Sequence, residues 1–181
     1  MVRAFLTAAF LSAATVVLAG VSSSATAQST AETAPSSITE IYQDWTVRCN
    51  NVASGEGTTQ VCAMVQSLRK GQGGDRVLLV TLTPSEDGAV VRFVTPFGIR
   101  LSQGLKVNVA GTQVLDAAFN TCMPGGCIVL TELPQASVDV LASGESANVV
   151  MIANQNGQPF ELTVSLAGFT AAWNRLKDLQ G

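Results

Sequence analysis

The sequence predicts an all-β chain: an antiparallel β-sandwich or partly open barrel of about eight to ten short strands with a C-terminal amphipathic helix. Three observations predict it. Short runs rich in Val, Leu, Thr and Phe recur from residue 42 to residue 166. Clusters of Gly, Pro, Asn, Asp and Ser punctuate them, as turns do. Only the last segment changes to a helical period.

The elements follow in order. DWTVRC sets Trp45, Val47 and Cys49 against Thr46 and Arg48, the alternation of a half-buried strand. NNVASGEGT, with its turn formers, reads as a loop, and TQVCAMVQS as the next strand. RVLLVTLT, residues 76–83, is apolar on both faces and reads as a central strand covered on both sides. The turn formers Pro84 to Gly88 then return the chain into AVVRFVT, giving a hairpin. PFGIRLSQGLKVNVAG reads as a second hairpin around Ser102, Gln103 and Gly104. CIVLTEL is a strand, and PQASVDVLASG, residues 134–144, has the length and terminal Gly of a short helix. ANVVMIAN and PFELTVSL complete the strands. In GFTAAWNRLKDLQG, Phe169, Ala172, Trp173, Leu176 and Leu179 form one helical stripe. Sandwich and barrel both satisfy this order.

The N-terminus predicts export to an oxidising compartment. One cation, Arg3, precedes an uncharged Ala-, Leu- and Val-rich run that ends at Ala25-Thr26-Ala27, a small-x-small cleavage site. Residues 1–27 are therefore expected to be a secretory signal peptide, removed to leave a chain starting near Gln28; the run is also about as long as a membrane span, and the cleavage site argues against an uncleaved anchor. Val21 follows Leu18-Ala19-Gly20, so the acylated cysteine of a lipoprotein is missing. Residues 28–40, polar and small, are expected to be a flexible lead, and residues 41–181 one domain. The expected location is the periplasm or the cell surface, with no membrane span after cleavage.

Composition excludes much chemistry. There is no histidine among the 181 residues, and the net charge is −3. Histidine-based nucleophilic catalysis, His-ligated zinc and haem attachment are thereby removed. Lys and Arg do not cluster along the chain, which argues against nucleic acid and anionic membranes. No cofactor, metal or catalytic residue is expected, and neither partner nor oligomeric state follows from the residues.

The four cysteines are Cys49, Cys62, Cys122 and Cys127. An even count in an exported chain reads as disulfides, with three pairings possible. Economy favours neighbours, Cys49–Cys62 and Cys122–Cys127. Loops of about fourteen and six residues would then contribute roughly 3 and 2 kcal/mol in the chain-entropy model. Pro124, Gly125 and Gly126 let the chain turn sharply enough for the second bridge. A zinc site built from four cysteines would need two close-spaced pairs, and a redox centre a Cys-x-x-Cys opening a helix. Neither is present.

Other motifs fail on context. Ser67-Leu68-Arg69-Lys70 matches Ser-x-x-Lys, but the accompanying Ser-Asp-Asn and Lys-Thr-Gly elements are missing. GQGGD at 71–75 lacks the Gly-Lys-Ser/Thr of a phosphate loop and precedes a strand. Trp45 and Trp173 each sit on an apolar stripe, which favours core packing over a binding platform.

The blocks DWTVRC, Pro96-Phe97-Gly98, Thr121-Cys122…Gly126-Cys127 and Ser165-Leu166-x-Gly168-Phe169, in that order, resemble the invasion-associated locus B family. The resemblance covers roughly residues 40 to 175. It implies a small β-rich, disulfide-containing extracytoplasmic protein of alphaproteobacterial type, in a family named for host-cell entry. It brings no catalytic residue or cofactor. The expected function is that of a non-enzymatic interaction protein presenting loops 50–58 and 69–75. The alternative is a small-ligand-binding or thiol-active module with an apolar pocket under the sandwich or a reducible Cys122–Cys127 bridge.

Overall fold

The computed structural model describes residues 37–55 and 57–180. The expected signal peptide, residues 1–27, lies outside them. The described residues form eleven strands and two α-helices in the order β1 (Ser37–Tyr42), β2 (Trp45–Ser54), β3 (Gly57–Arg69), β4 (Arg76–Ser85), β5 (Gly88–Thr95), β6 (Leu105–Val109), β7 (Thr112–Ala117), β8 (Thr121–Met123), β9 (Gly126–Pro134), α1 (Gln135–Ser143), β10 (Ser146–Ile152), β11 (Pro159–Ser165) and α2 (Phe169–Asp178). A seven-stranded sheet runs β1-β2-β3-β4-β5-β9-β8 and a four-stranded sheet runs β11-β10-β6-β7. Every pairing is antiparallel. The sheets stay separate, so the sandwich, not the barrel, is the outcome.

Alternation decides what each strand buries. On β2, Trp45, Val47 and Cys49 face inward, and on β4 Leu78, Val80 and Leu82 do the same. Val107, Val109, Val149, Met151 and Val164 meet them from the small sheet. Each such side chain contributes about 1.5–3 kcal/mol by leaving water. The small sheet is narrower than the large one, and α2 packs over β1, β2, β3 and β4, covering inner surface the small sheet leaves bare. Trp45 and Phe169 meet edge to face at 5.3 Å, and Phe169 stacks on Trp173 at 6.4 Å. Both tryptophans are therefore core residues. Gly168 enters α2 at φ +83°, and a Cβ there would strike the Tyr42 carbonyl oxygen, so only glycine fits.

Four expectations are corrected. The flexible lead expected over 28–40 is ordered from Ser37, because β1 pairs with β2 from Ser37–Asn50 to Tyr42–Trp45. The loop read at 50–58 is instead the continuation of β2 and β3 as a paired hairpin, joined by Asn51–Gln60 and Ser54–Gly57. Strand β4 is central, but its second face is not covered: Leu79 and Thr81 are only half-buried there. The hairpin expected around Ser102–Gly104 is a 3-10 turn at Leu101–Gln103, and the turn of the real hairpin is Ala110-Gly111, between β6 and β7. Just upstream of the 3-10 turn, Ile99 forms an isolated antiparallel bridge to Ala153, beside the end of β10. The short helix expected at 134–144 is α1, and its Ser137 hydroxyl donates to the Val114 carbonyl of edge strand β7 (2.9 Å).

Candidate functional site

The four cysteines occupy two cross-strand positions. Cys49 of β2 stands directly opposite Cys62 of β3, with Cα atoms 4.0 Å apart and sulfurs at 2.10 Å. Both are buried. Cys122 of β8 stands opposite Cys127 of β9 at 3.9 Å between Cα atoms, with sulfurs at 2.03 Å. Here Cys127 is buried and Cys122 exposed. Neighbours in sequence are therefore neighbours in space, because each pair flanks one turn of an antiparallel ladder.

The first bridge sits at a boundary. Among the described residues, strand β1 accompanies β2 as far as Asn50, and β4 accompanies β3 from Met64 onward. Beyond Cys49 and Cys62 the β2–β3 hairpin continues with no third strand among the described residues. Every described residue from Asn50 to Val61 is exposed. A lone two-stranded hairpin is marginal in water. The bridge closes this arm at its root, and Gln180 adds a bond from its side-chain amide to the Cys62 carbonyl (3.2 Å).

The second bridge holds a tight turn against the sheet. Gly126 has φ +133°, and a Cβ there would collide with the Thr95 carbonyl oxygen. The buried Thr95 hydroxyl donates to the Cys127 carbonyl at 3.1 Å, and the Asn120 side-chain oxygen accepts from the Leu130 N–H at 2.6 Å. The Arg76 guanidinium donates to the Gly125 carbonyl at 3.2 Å. The turn is thus fixed from three sides.

Among the described residues no pocket of ligand size lies under the sandwich. The space between the sheets amounts to about 30 Å³ and is lined by apolar side chains such as Trp45, Leu82, Phe93 and Val149. That is room for a single water, with no polar partner to hold one. A larger cleft, about 540 Å³, opens at the sandwich's end between Arg69, Lys70, Phe97, Ile99, Phe160 and Leu162. Among the described residues no group of three or more Cys, Asp or Glu could hold a metal. No helix among them is long and apolar enough to cross a membrane.

Folding brings together what the sequence keeps apart. Arg48, Arg69, Arg76 and Arg92 lie on four successive strands, β2 to β5, and all line hollows on the open face of the large sheet. No linear cluster reveals this. The available signal was alternation: Arg48 and Arg92 each take the polar position between buried apolar neighbours on their own strand.

Comparison with known proteins agrees with this architecture. The sequence model of the invasion associated locus B (IalB) protein family matches residues 45–177. An invasion protein B homolog of Brucella abortus (strain 2308) is 34% identical over 145 residues, spanning 80% of this chain and 82% of the relative. Invasion protein B of Bartonella bacilliformis is 32% identical, with 97% of this chain and 96% of that protein covered. The crystal structure of invasion associated protein b from Bartonella henselae superposes with a TM-score of 0.69 at 30% identity, over 79% of this chain and 97% of that one. The match runs from the strand bearing Trp45 into the helix bearing Trp173, and the chain belongs to the invasion associated locus B family.

Proposed function

We propose that this chain is an exported, non-enzymatic interaction protein of the cell envelope or surface. The observation that carries this reading is the arm from Asn50 to Val61, exposed along its described length and closed at its root by the buried Cys49–Cys62 bridge. Exposed backbone edges of this kind recruit partner strands. The absence of histidine from the sequence, and of any group of three or more Cys, Asp or Glu among the described residues that could hold a metal, supports a binding role over catalysis. Disulfides support an oxidising compartment, as does the N-terminal segment ending at Ala25-Thr26-Ala27. The names of the relatives point to host-cell entry as the setting.

Two measurements test the reading. Residues 1–27 fused to an alkaline phosphatase that works only after export should give an active reporter; an inactive, cytoplasmic fusion overturns the export claim. For the arm, residues 51–60 are replaced by Asn-Gly, which makes a two-residue hairpin between Asn50 and Val61. The natural protein should bind intact mammalian cells or envelope vesicles saturably, and the shortened one should not. Equal binding by both removes the arm from the function.

A second reading rests on the 540 Å³ cleft, whose apolar walls and Arg69–Lys70 rim suit a small amphiphile. Titration with a fluorescent long-chain carboxylate decides it: saturable binding lost in Phe97→Asp supports the cleft, and no binding removes it.

A further inference from the structure

The open face of the seven-stranded sheet differs from the rest of the surface. Two adjoining hollows lie on it, of about 510 and 270 Å³, and they share Arg76 and Leu79. The larger also holds Arg48 and Arg69 above Val65 and Thr81. The smaller holds Arg92 above Val94 and Ile128, with the bridged turn Met123–Gly126 as its wall. Val94 and Ile128 are buried although no second layer covers them among the described residues. Ile41, Met123 and Leu130, among the most exposed large apolar side chains, share this face.

The charges there are unbalanced. The ion pairs among the described residues are Lys106–Asp116 and Glu40–Arg175, so none of the four arginines has a carboxylate of a described residue within 4 Å. Among the described residues, the acidic groups that these hollows and strand positions place on the face are Asp44, lining the larger hollow, and Glu132, whose strand position falls beside Val90. Arg69 and Arg76 are direct cross-strand partners, a placement that costs stability for like charges. Each is also held in direction: Arg69 donates to the Gly74 carbonyl at 3.1 Å and Arg76 to the Gly125 carbonyl. Oriented guanidinium forks match carboxylates in a two-point geometry that lysines do not offer. A chain with a net charge of −3 has gathered a cationic face on an apolar floor.

We propose that this face docks an acidic, extended polypeptide segment of a partner protein, with carboxylates at the arginines and apolar side chains on Leu79, Val94 and Ile128. The proposal deepens the interaction reading and rests on it. Concave hollows admit a chain that inserts, whereas a planar anionic membrane would touch only their rims. A second copy of this chain is disfavoured, because isologous pairing would set arginine against arginine.

The probe is a fluorescein-labelled peptide of repeating Glu-Leu-Glu-Val, with a Lys-for-Glu version as control, followed by fluorescence anisotropy. The acidic peptide should bind and the basic one should not, with affinity falling as salt rises. Arg76→Glu with Arg92→Glu should weaken binding at least about tenfold while circular dichroism still shows a folded β-sheet chain. If charge reversal unfolds the chain, the Arg76→Gln, Arg92→Gln variant should show the same direction of loss. No binding of the acidic peptide, or binding indifferent to these substitutions, overturns the proposal. Sedimentation with phosphatidylglycerol vesicles that these variants abolish overturns it in favour of a lipid surface. Loss of the peptide result alongside intact arm-dependent cell binding removes the docking face and leaves the interaction reading standing.

Discussion

Glu40 and Arg175, 135 residues apart in sequence, form a two-point ion pair that ties the first strand to the last helix, with contacts of 2.8 and 2.9 Å. The Tyr42 hydroxyl donates to the same carboxylate at 2.8 Å. The Arg175 and Tyr42 hydrogen bonds hold the Glu40 carboxyl down at about 2, well below its ordinary 4.5.

A depressed carboxylate stabilises the fold above its unfolded pKa, and that contribution disappears as pH falls through the folded value. Glu40 should therefore support the fold fully above about pH 4.5 and lose its effect towards pH 2. Glu40→Gln should lower the melting temperature at pH 7 and flatten the acid limb of the stability curve over that window. A melting curve measured at intervals from pH 7 to pH 2 checks this; parallel curves for both proteins refute it.

Gln66 does for Ser165 what a neighbouring strand would do. Its amide donates to the Ser165 carbonyl at 2.8 Å and accepts from the Ser165 N–H at 3.1 Å. Strand β11 is an edge, and its outward backbone needs partners inside the fold. Gln66→Leu leaves that N–H unpaired and should cost about 1–3 kcal/mol in urea denaturation. The Trp45 indole, which donates to the same carbonyl at 2.9 Å, keeps the oxygen satisfied.

Trp173 carries the opposite case. Its indole N–H is buried with no hydrogen-bond partner among the described residues. Trp173→Phe removes that orphan, keeps the stack on Phe169 and should change stability by less than about 1.5 kcal/mol. Trp173→Ala should cost about 3–5 kcal/mol through the cavity it opens. Equal losses for both would mean that the indole nitrogen is satisfied in solution.

The two bridges should part company under reductant. Cys122 is exposed while Cys49 and Cys62 are buried, so attack by an external thiolate reaches the turn first. Mass spectrometry after alkylation, along a glutathione or dithiothreitol titration, should show Cys122 and Cys127 labelled before the other pair. Replacing Cys49 and Cys62 together by Ala should cost roughly 3 kcal/mol, and the other pair roughly 2, from the loops each closes. Simultaneous labelling of all four would show that opening of the whole fold, not local access, governs reduction.

Much of the fold was legible in particular residues. Trp45, Val47 and Cys49 alternate, and β2 buries all three. Phe169, Ala172, Trp173 and Leu176 keep helical spacing, and α2 buries all four. Three strands carried no comparable signal. In β1, Ile38 and Tyr42 lie on the same alternating face as Glu40, whose charge hides the pattern until Arg175 is present. In β7, Thr112 and Gln113 dilute the apolar pair Val114 and Leu115, and β8 is only three residues long. Residues 50–58 of the arm read as a loop in sequence because Gly and Ser usually end strands. Its pairing is decided by the register that continues past Cys49 and Cys62.

By itself the sequence determined the all-β class, the closing helix, the family likeness and the core positions, because local period decides which side of each element is apolar. The tertiary structure decided that two sheets stack without closing into a barrel, that β4 keeps one face open, and that four arginines from separate strands share that face. Those outcomes depend on strand order and register. Such pairings join residues distant in sequence, and no local period encodes them.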